Sequence, residues 1–430
     1  MSTLGIIAEY NPFHNGHLYH LQKAKERTGA EYTIAVLGGN FLQRGEPALW
    51  NKWVRTKMAL LAGIDLVIEL PFVFATQDAQ GFARAGVSIL NALGIVDYIT
   101  FGCENDNIET FSEVAQLIRK EPPYYKEILK RELEKGYSYP RVREKAVVNY
   151  FQKYGPNSIE TSLSELTCLL KKSNNILALE YIIALQSLNS NIKPLPILRI
   201  GSDFSQDRWE GKYSSANAIR KLICRFYCSS EKETLKKIKS VLPSSTFQII
   251  MDELEQGVNP VLESNLNQSI LAKLRCTSVI DLKEINGIQE GLENLLKKAS
   301  DSAGNIEELI QIVKSKRYTR TRIKRIIIHS LFGLSKREIL AFNKSGPQYI
   351  RALGMSAKGR IILKKAKLGS KLPLILSLKH FYKSNQKLGN KAILRMLNYD
   401  ILATDLYVLA YNSTGLRIGR QDFTRKVIII

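Results

Sequence analysis

No window of this sequence approaches the roughly 18 uninterrupted apolar residues of a membrane-spanning helix, so no span is expected. The first apolar run has no basic segment ahead of it and ends at Glu9, which argues against a secretory leader. Cysteine is scarce, with five residues at Cys103, Cys168, Cys224, Cys228 and Cys276. An odd, scattered set excludes a disulfide framework and points to a reducing, cytoplasmic setting. Cys224 and Cys228 have no histidine nearby, so two thiols on one helix face are expected there rather than a metal site. Acidic residues are scarce in one region only. Residues 311–430 hold 26 Lys and Arg against 4 Asp and Glu, whereas residues 1–110 hold 8 against 11. The last 120 residues therefore carry a charge equal to the whole net +22. A localised basic field of that size attracts polyanions, nucleic acid first and an anionic membrane surface second.

What is present is ordered. The length of 430 residues allows two or three domains, and an apolar fraction of 45% with 24% charged residues marks an ordinary soluble globular chain. The apolar runs TLGIIAE, YTIAVLGG, DLVIELP and VDYITFG alternate with helical segments that stop at glycines. Strands of that kind, apolar almost throughout, predict a parallel sheet buried on both faces: an α/β, Rossmann-like, doubly wound domain. From about 107 to 172 the pattern turns helical and charged, as in a helical insertion. KPLPILRIGSD restores one strand, and SSANAIRKLICRF opens a helix with a serine cap. The sheet domain is therefore expected to close near residue 226. Residues 227–430 are expected to form a mostly α-helical basic domain.

Histidine is also sparse, yet three of the five fall in the stretch GIIAEYNPFHNGHLYH, at His14, His17 and His20. They follow the first strand, where the first βα turn of a doubly wound sheet faces its ligand. His14 and His17 flank Gly16 at the start of a helix, where free N–H groups and the helix dipole favour phosphate. His20 lies one turn further on. A zinc site would need about four ligands, and no others are near in sequence. A phosphate site, a metal site and a plain histidine cluster remain the three readings of these residues. Elsewhere, Ser214 and Ser215 cap a helix with Arg220 one turn in, a second helix end suited to phosphate or a plain serine cap. Gln43, Arg44, Lys52 and Arg55 follow the second strand; the latter two fit phosphate binding, a nucleic-acid path or a solvated helix face.

The segments AEYNPFHNGHLYHL, GNFLQRGEPALWNKWVRTKMAL, AGIDLVIELPF and TFGCEND closely resemble the bacterial tRNA(Met) cytidine acetate ligase family, within the HxGH nucleotidyltransferase superfamily. The similarity continues through SNNILALEY, SSANAIRK, KRIIIHSLFG and ATDLYVLAYN. It implies an enzyme that activates acetate with ATP as acetyl-adenylate and then acetylates the wobble cytidine of elongator tRNA(Met). It places ATP on Ile7, Ala8, Glu9, Tyr10, Asn11, Pro12 and Phe13, and on His14, Asn15, Gly16, His17, Leu18, Tyr19 and His20. Gly102, Asn174 (or its neighbour Asn175) and Arg199 are implied as further nucleotide contacts, and Ser215 and Arg220 match a second phosphate motif. His14 and His17 are expected to be catalytic, stabilising charge on the phosphoryl oxygens. Mg2+ is expected with ATP, held chiefly by phosphates. Among the basic clusters at 314–325 and 358–371, Lys324, Arg325, Lys364 and Lys365 are expected to meet tRNA, with Lys52 and Arg55.

The family pattern has Asp where this chain has Asn51, Ser where it has Gly39, and a different segment where it reads SDFSQD. Asn51 is therefore assigned no catalytic part. A small-molecule adenylyltransferase and a non-catalytic RNA-binding protein on a vestigial nucleotide fold are the alternatives. The basic C-terminal region disfavours the first. No clear KMSKS-like loop supports a class I synthetase, although GLSK at 333–336 is a faint echo.

Overall fold

The computed structural model describes residues 2–155, 163–200, 211–289, 291–315 and 317–430. The segment SDFSQD lies outside the described residues. The four apolar runs form β1 (Thr3–Ala8), β2 (Tyr32–Gly38), β3 (Leu66–Leu70) and β4 (Tyr98–Cys103). Between them lie α1 (Asn15–Thr28), α2 (Lys52–Leu61), the short α3 (Phe72–Ala75) and α4 (Ala79–Ala92). Gly29 ends α1 in the left-handed conformation, as its position after the last apolar turn predicts. Next come α5 (Ile108–Lys120), α6 (Pro123–Glu134), α7 (Tyr139–Tyr154), α8 (Leu163–Lys171) and α9 (Ser173–Ser187). The chain then returns to the sheet as β5 (Lys193–Leu198) and leaves it through α10 (Ala216–Ser229).

The strand order β5-β4-β1-β2-β3 is parallel, and the direction of progression reverses between β1 and β4. A crevice above the carboxyl ends of β1 and β4 is thus where such a sheet takes a ligand. Side chains alternate between the two faces. Leu4 of β1 and Ile197 of β5 pack with Ala24 of α1 on one face. On the other, Phe101 of β4 meets Tyr181 of α9, and α4 packs beside α9.

The sheet does not close near residue 226. Its β3 edge is continued by β6 (Ile350–Met355), antiparallel to β3, and β6 pairs with β7 (Leu374–Ile375) and β8 (Ile428–Ile429). A wholly buried β3 would otherwise present an unpaired edge, and the C-terminal part supplies the missing partner. Residues 227–430 are otherwise mainly helical, and their helices pack against the sheet domain as well as each other.

Candidate active site

The turn after β1 is tied down from several sides. Tyr10 adopts a left-handed conformation, and the Asn11 carboxamide oxygen accepts from the Leu49 N–H at 2.8 Å. The Asn11 carbonyl accepts from the Arg220 guanidinium at 3.3 Å. His14 caps α1, its Nδ1 accepting from the Gly16 N–H at 3.0 Å, while His17 Nδ1 accepts from the His14 N–H at 3.2 Å. The two rings stack with centroids 3.7 Å apart. With both Nδ1 atoms acting as acceptors, a neutral imidazole must carry its proton on Nε2. Burial, then Arg199 and Arg220, push the His14 pKa down to about 3. Burial, then His14, Arg199 and His20, hold His17 well below the usual imidazole range. The pair therefore offers two Nε2–H donors without charge. One expectation needs correcting: the Gly16 N–H is taken by His14, and the His17 N–H bonds the His14 carbonyl at 2.9 Å. The imidazoles, rather than a row of free backbone donors, form the donor set.

A cavity of about 360 Å3 opens above β1 and β4, as the topology requires. His14, Gly16, His17, Tyr19, His20, Thr100, Gly102 and Arg199 line it on the α1 side. His20 Nε2 lies 3.0 Å from the Thr100 hydroxyl, joining α1 to β4. Burial first, then Arg199, lowers its pKa to about 4. A side chain at Gly102 would place its first carbon 3.3 Å from the Arg199 stem, so Arg199 lies across a glycine that has no bulk to displace it. The other side is lined by Ile7, Glu9, Phe82, Phe101, Leu177 and Tyr181. Asn174 also lines the cavity and donates to Glu104 at 2.5 Å. Asn175 is fully buried and accepts from the Glu104 N–H instead, so of the two neighbours Asn174 is the one that lines the cavity.

Not every residue between Ile7 and His20 reaches the cavity. Ala8, Tyr10 and Asn11 line it; Pro12, Phe13, Asn15 and Leu18 do not. Phe13 is core, and the Asn15 amide donates to the carbonyls of Lys212 (3.3 Å) and Ser240 (2.9 Å). Ser215 is the α10 cap, accepting from the Ala218 N–H at 3.1 Å, while Arg220 one turn on lines the cavity.

A second, more open cleft of about 470 Å3 adjoins the first and shares Arg44, Glu46, Ser173 and Arg220 with it. Its remaining cations are Lys171, Lys172, Arg320 and Lys324. The 39–51 loop that carries Arg44 and Glu46 rests on the helix Arg320–Phe332. At Gly45, φ is +74°, and a β-carbon would lie 2.4 Å from the Arg325 nitrogen, so only glycine permits this backbone contact. Lys324 pairs with Glu263 at 2.7 Å and Glu46 at 3.4 Å, and the half-buried Arg325 reaches the Gln43 carbonyl at 3.5 Å.

Lys52 and Arg55, expected on a nucleic-acid path, are interior. Lys52 is 1% exposed, with Nζ 2.6 Å from Glu69 and 2.7 Å from Asp422. Arg351 of β6 completes this buried cluster at 2.9 Å from Glu69 and 2.6 Å from Asp422. Arg55 donates to the carbonyls of Trp50, Glu9, Gly38 and Gly39, holding the strand ends beside the site. Neither can meet a phosphate. Lys364 and Lys365 are exposed, but Lys365 sits over Tyr32, the first residue of β2, at the end of the sheet remote from the cavity. Asn51 caps α2, accepting from Trp53 and Val54 N–H groups at 3.0 Å, a role Asp would fill equally. Sequence inspection missed Tyr181, Glu46, Lys171 and Lys172; the seven-residue spacing from Asn174 to Tyr181 on one helix face was the available signal for the first.

Among the described residues, no three His, Cys, Asp or Glu side chains group to hold a metal ion, and no helix is long and apolar enough to cross a membrane. A family model described as HIGH Nucleotidyl Transferase matches residues 1–422. The tRNA(Met) cytidine acetate ligase of Acetivibrio thermocellus is 41% identical over 431 residues, covering 100% of both chains. That of Halothermothrix orenii is 40% identical over 428 residues, covering 100% of this chain and 99% of the other. The crystal structure of Thermotoga maritima TmcAL bound with alpha-thio ATP matches with a TM-score of 0.92 at 38% identity, covering 100% of each chain. The fold, the paired histidines at its switch point and these full-length similarities agree: the chain belongs to the HIGH nucleotidyl transferase family, and within it to the tRNA(Met) cytidine acetate ligases.

Proposed function

We propose that this chain activates acetate with ATP as acetyl-adenylate and passes the acetyl group to the N4 amine of the wobble cytidine of elongator tRNA(Met). The observation that carries this is the stacked His14–His17 pair at the switch point, whose Nε2–H donors are set by backbone hydrogen bonds. Adenosine lies along Gly102, Asn174 and Arg199, between α1 and the start of α9. The triphosphate lies over the α1 start, between His14, His17, Arg199 and Arg220.

An acetate oxygen attacks the α-phosphorus, and pyrophosphate leaves as the phosphoryl oxygens gain charge. Fixed donors aimed at that charge need no reorganisation during the step. Neutral imidazoles bind the substrate less tightly than cations would, so their help is concentrated where charge grows. Arg220 and Arg44 flank the leaving-group side. Mg2+ would ride on the phosphates and neutralise their charge, keeping most of its waters. Both oxygens of Glu104 are engaged by Asn174 and Asn175, whereas Glu46, with ion pairs of 3.4 Å to Lys324 and 3.7 Å to Arg220, lies beside Arg220 and can give an oxygen.

The basic cleft is the path of the RNA strand. Its cations line a cleft that adjoins the cavity, where phosphates flanking an inserted nucleotide would lie. Lys171, Lys172, Arg320 and Lys324 take the contacts for which Lys52 and Arg55 are unsuited. A purely small-molecule adenylyltransferase has no use for such a cleft.

The test is incubation with ATP, labelled acetate and total bacterial tRNA, followed by digestion to nucleosides. Labelled N4-acetylcytidine is expected, together with acetate-dependent ATP–pyrophosphate exchange that His17→Ala abolishes while tRNA still binds. An enzyme that shows no acetate-dependent exchange at any acetate concentration would refute the assignment.

A further inference from the structure

We propose that the α4–α9 side of the cavity receives the acceptor cytosine, that Glu9 accepts the proton released by its exocyclic amine, and that the Tyr181 hydroxyl positions that amine. This rests on the function proposed above and names the group that completes its second step. Three observations converge on it.

First, Tyr181 is 2% exposed and its hydroxyl has no hydrogen-bond partner. Other buried polar atoms of the described residues are also unpartnered, but Tyr181 is the one among them that lines the cavity. An unsatisfied buried hydroxyl carries a desolvation penalty that a bound ligand would relieve. Second, Glu9 lines the same side, with Oε1 accepting from the Gln43 N–H at 2.8 Å. That leaves Oε2 for a donor in the cavity. A carboxylate repels phosphate and acetate alike, whereas an amine presents hydrogens to it. Third, the walls there are apolar and aromatic: Ile7, Phe82, Phe101 and Leu177, surfaces on which a flat base stacks. The basic cleft meets the cavity at Arg44, Glu46, Ser173 and Arg220, and Arg44 and Glu46 are also neighbours of Glu9, so a nucleotide leaving the RNA path enters beside Glu9.

The step balances. The N4 lone pair, weakened by delocalisation into the ring, forms a C–N bond to the acetyl carbon of the adenylate. The C–O bond to the phosphate breaks, and AMP leaves with that electron pair. The amine proton passes to Glu9 and then to solvent. Burial raises the Glu9 pKa, which makes its anion a better base. The groups facing Glu9 are the Gln43 N–H, Arg44 and Glu46 of the 39–51 loop, Arg55 of α2 and Tyr181 of α9. Glu46 raises the pKa further; the Gln43 N–H, Arg44 and Arg55 oppose the rise.

The experiment preforms enzyme-bound acetyl-adenylate, adds tRNA, and follows single-turnover transfer from pH 5 to 8. Acetate-dependent pyrophosphate exchange is measured on the same preparations. Wild-type transfer is expected to rise with pH as Glu9 loses its proton. Glu9→Gln should slow transfer about 100-fold more than it slows exchange and flatten that rise. Glu9→Asp should keep the pH dependence at a reduced rate, and Tyr181→Phe should slow transfer about tenfold with the profile's shape intact. Equal loss of transfer and exchange in Glu9→Gln, or a Glu9→Gln profile that still rises, overturns the proposal. A wild-type enzyme without exchange would instead overturn the acetate function on which it rests.

Discussion

Replacing Lys52 by Met distinguishes an interior cation from one that meets a polyanion. In the fold, Lys52 is 1% exposed and its side chain lies between Glu69 and Asp422, which are 3% and 0% exposed. Met fills most of the same volume, so little cavity penalty is added. What is lost is one of the two cations facing two buried carboxylates, the other being Arg351. Removing one partner of a buried ion pair costs about 3–5 kcal/mol. An unfolding entropy of about 2.1 cal/mol/K per residue gives about 0.9 kcal/mol/K for the 430-residue chain. The melting temperature should therefore fall by about 3–6 °C. Thermal melts, with tRNA affinity measured in parallel, check this. An unchanged melting temperature combined with weakened tRNA binding would refute the assignment of Lys52 to the interior.

Gly45→Ala must accommodate a β-carbon 2.4 Å from the Arg325 nitrogen at a φ of +74°, and should lose well over about 1 kcal/mol in a urea titration while lowering both half-reactions. With its pKa lowered to about 3, His14 is neutral in the free enzyme across the working pH range, and NMR should show no titration of its ring between pH 5 and 8. Because the folded pKa lies below the unfolded 6.5, the stability due to neutral His14 is fully present above pH 6.5 and is lost as pH falls towards 3. Converting Lys171 and Lys172 together to Gln should raise the KM for tRNA and reduce the slope of log affinity against log salt by about 1–2, as measured from 50 to 200 mM salt.

Much of the sheet domain was legible because its signals are local. Four apolar runs separated by helices with glycine stops define β1–β4, and the position of His14 and His17 after β1 follows from that order. Asn174, Gly102 and Arg199 were reached only through family resemblance, and all three line the cavity. β6 was missed because IRALGM carries an arginine within the run and lies in the helical, basic part of the chain, far from the other strands. Its Arg351 becomes acceptable in the interior only when Glu69 and Asp422 meet it, and those partners are 282 and 71 residues away in sequence.

Charge shows the division most clearly. The basic excess of the last 120 residues is a property of composition, and any fold of this chain must display a large positive field. Which cations face solvent depends on what packs over them. Lys52 and Arg55 look like Lys171 and Lys172 in sequence, yet the first two are covered while the second two line an open cleft. The histidines at 14 and 17 divide in the same way. Spacing along one helix turn puts them together, but their neutral state and donor orientation come from burial and from Arg199 and Arg220, brought in by β5 and α10. Periodicity acts over three or four residues and can be read along the chain; desolvation and Coulomb interactions act through space and depend on every segment that folds against the site.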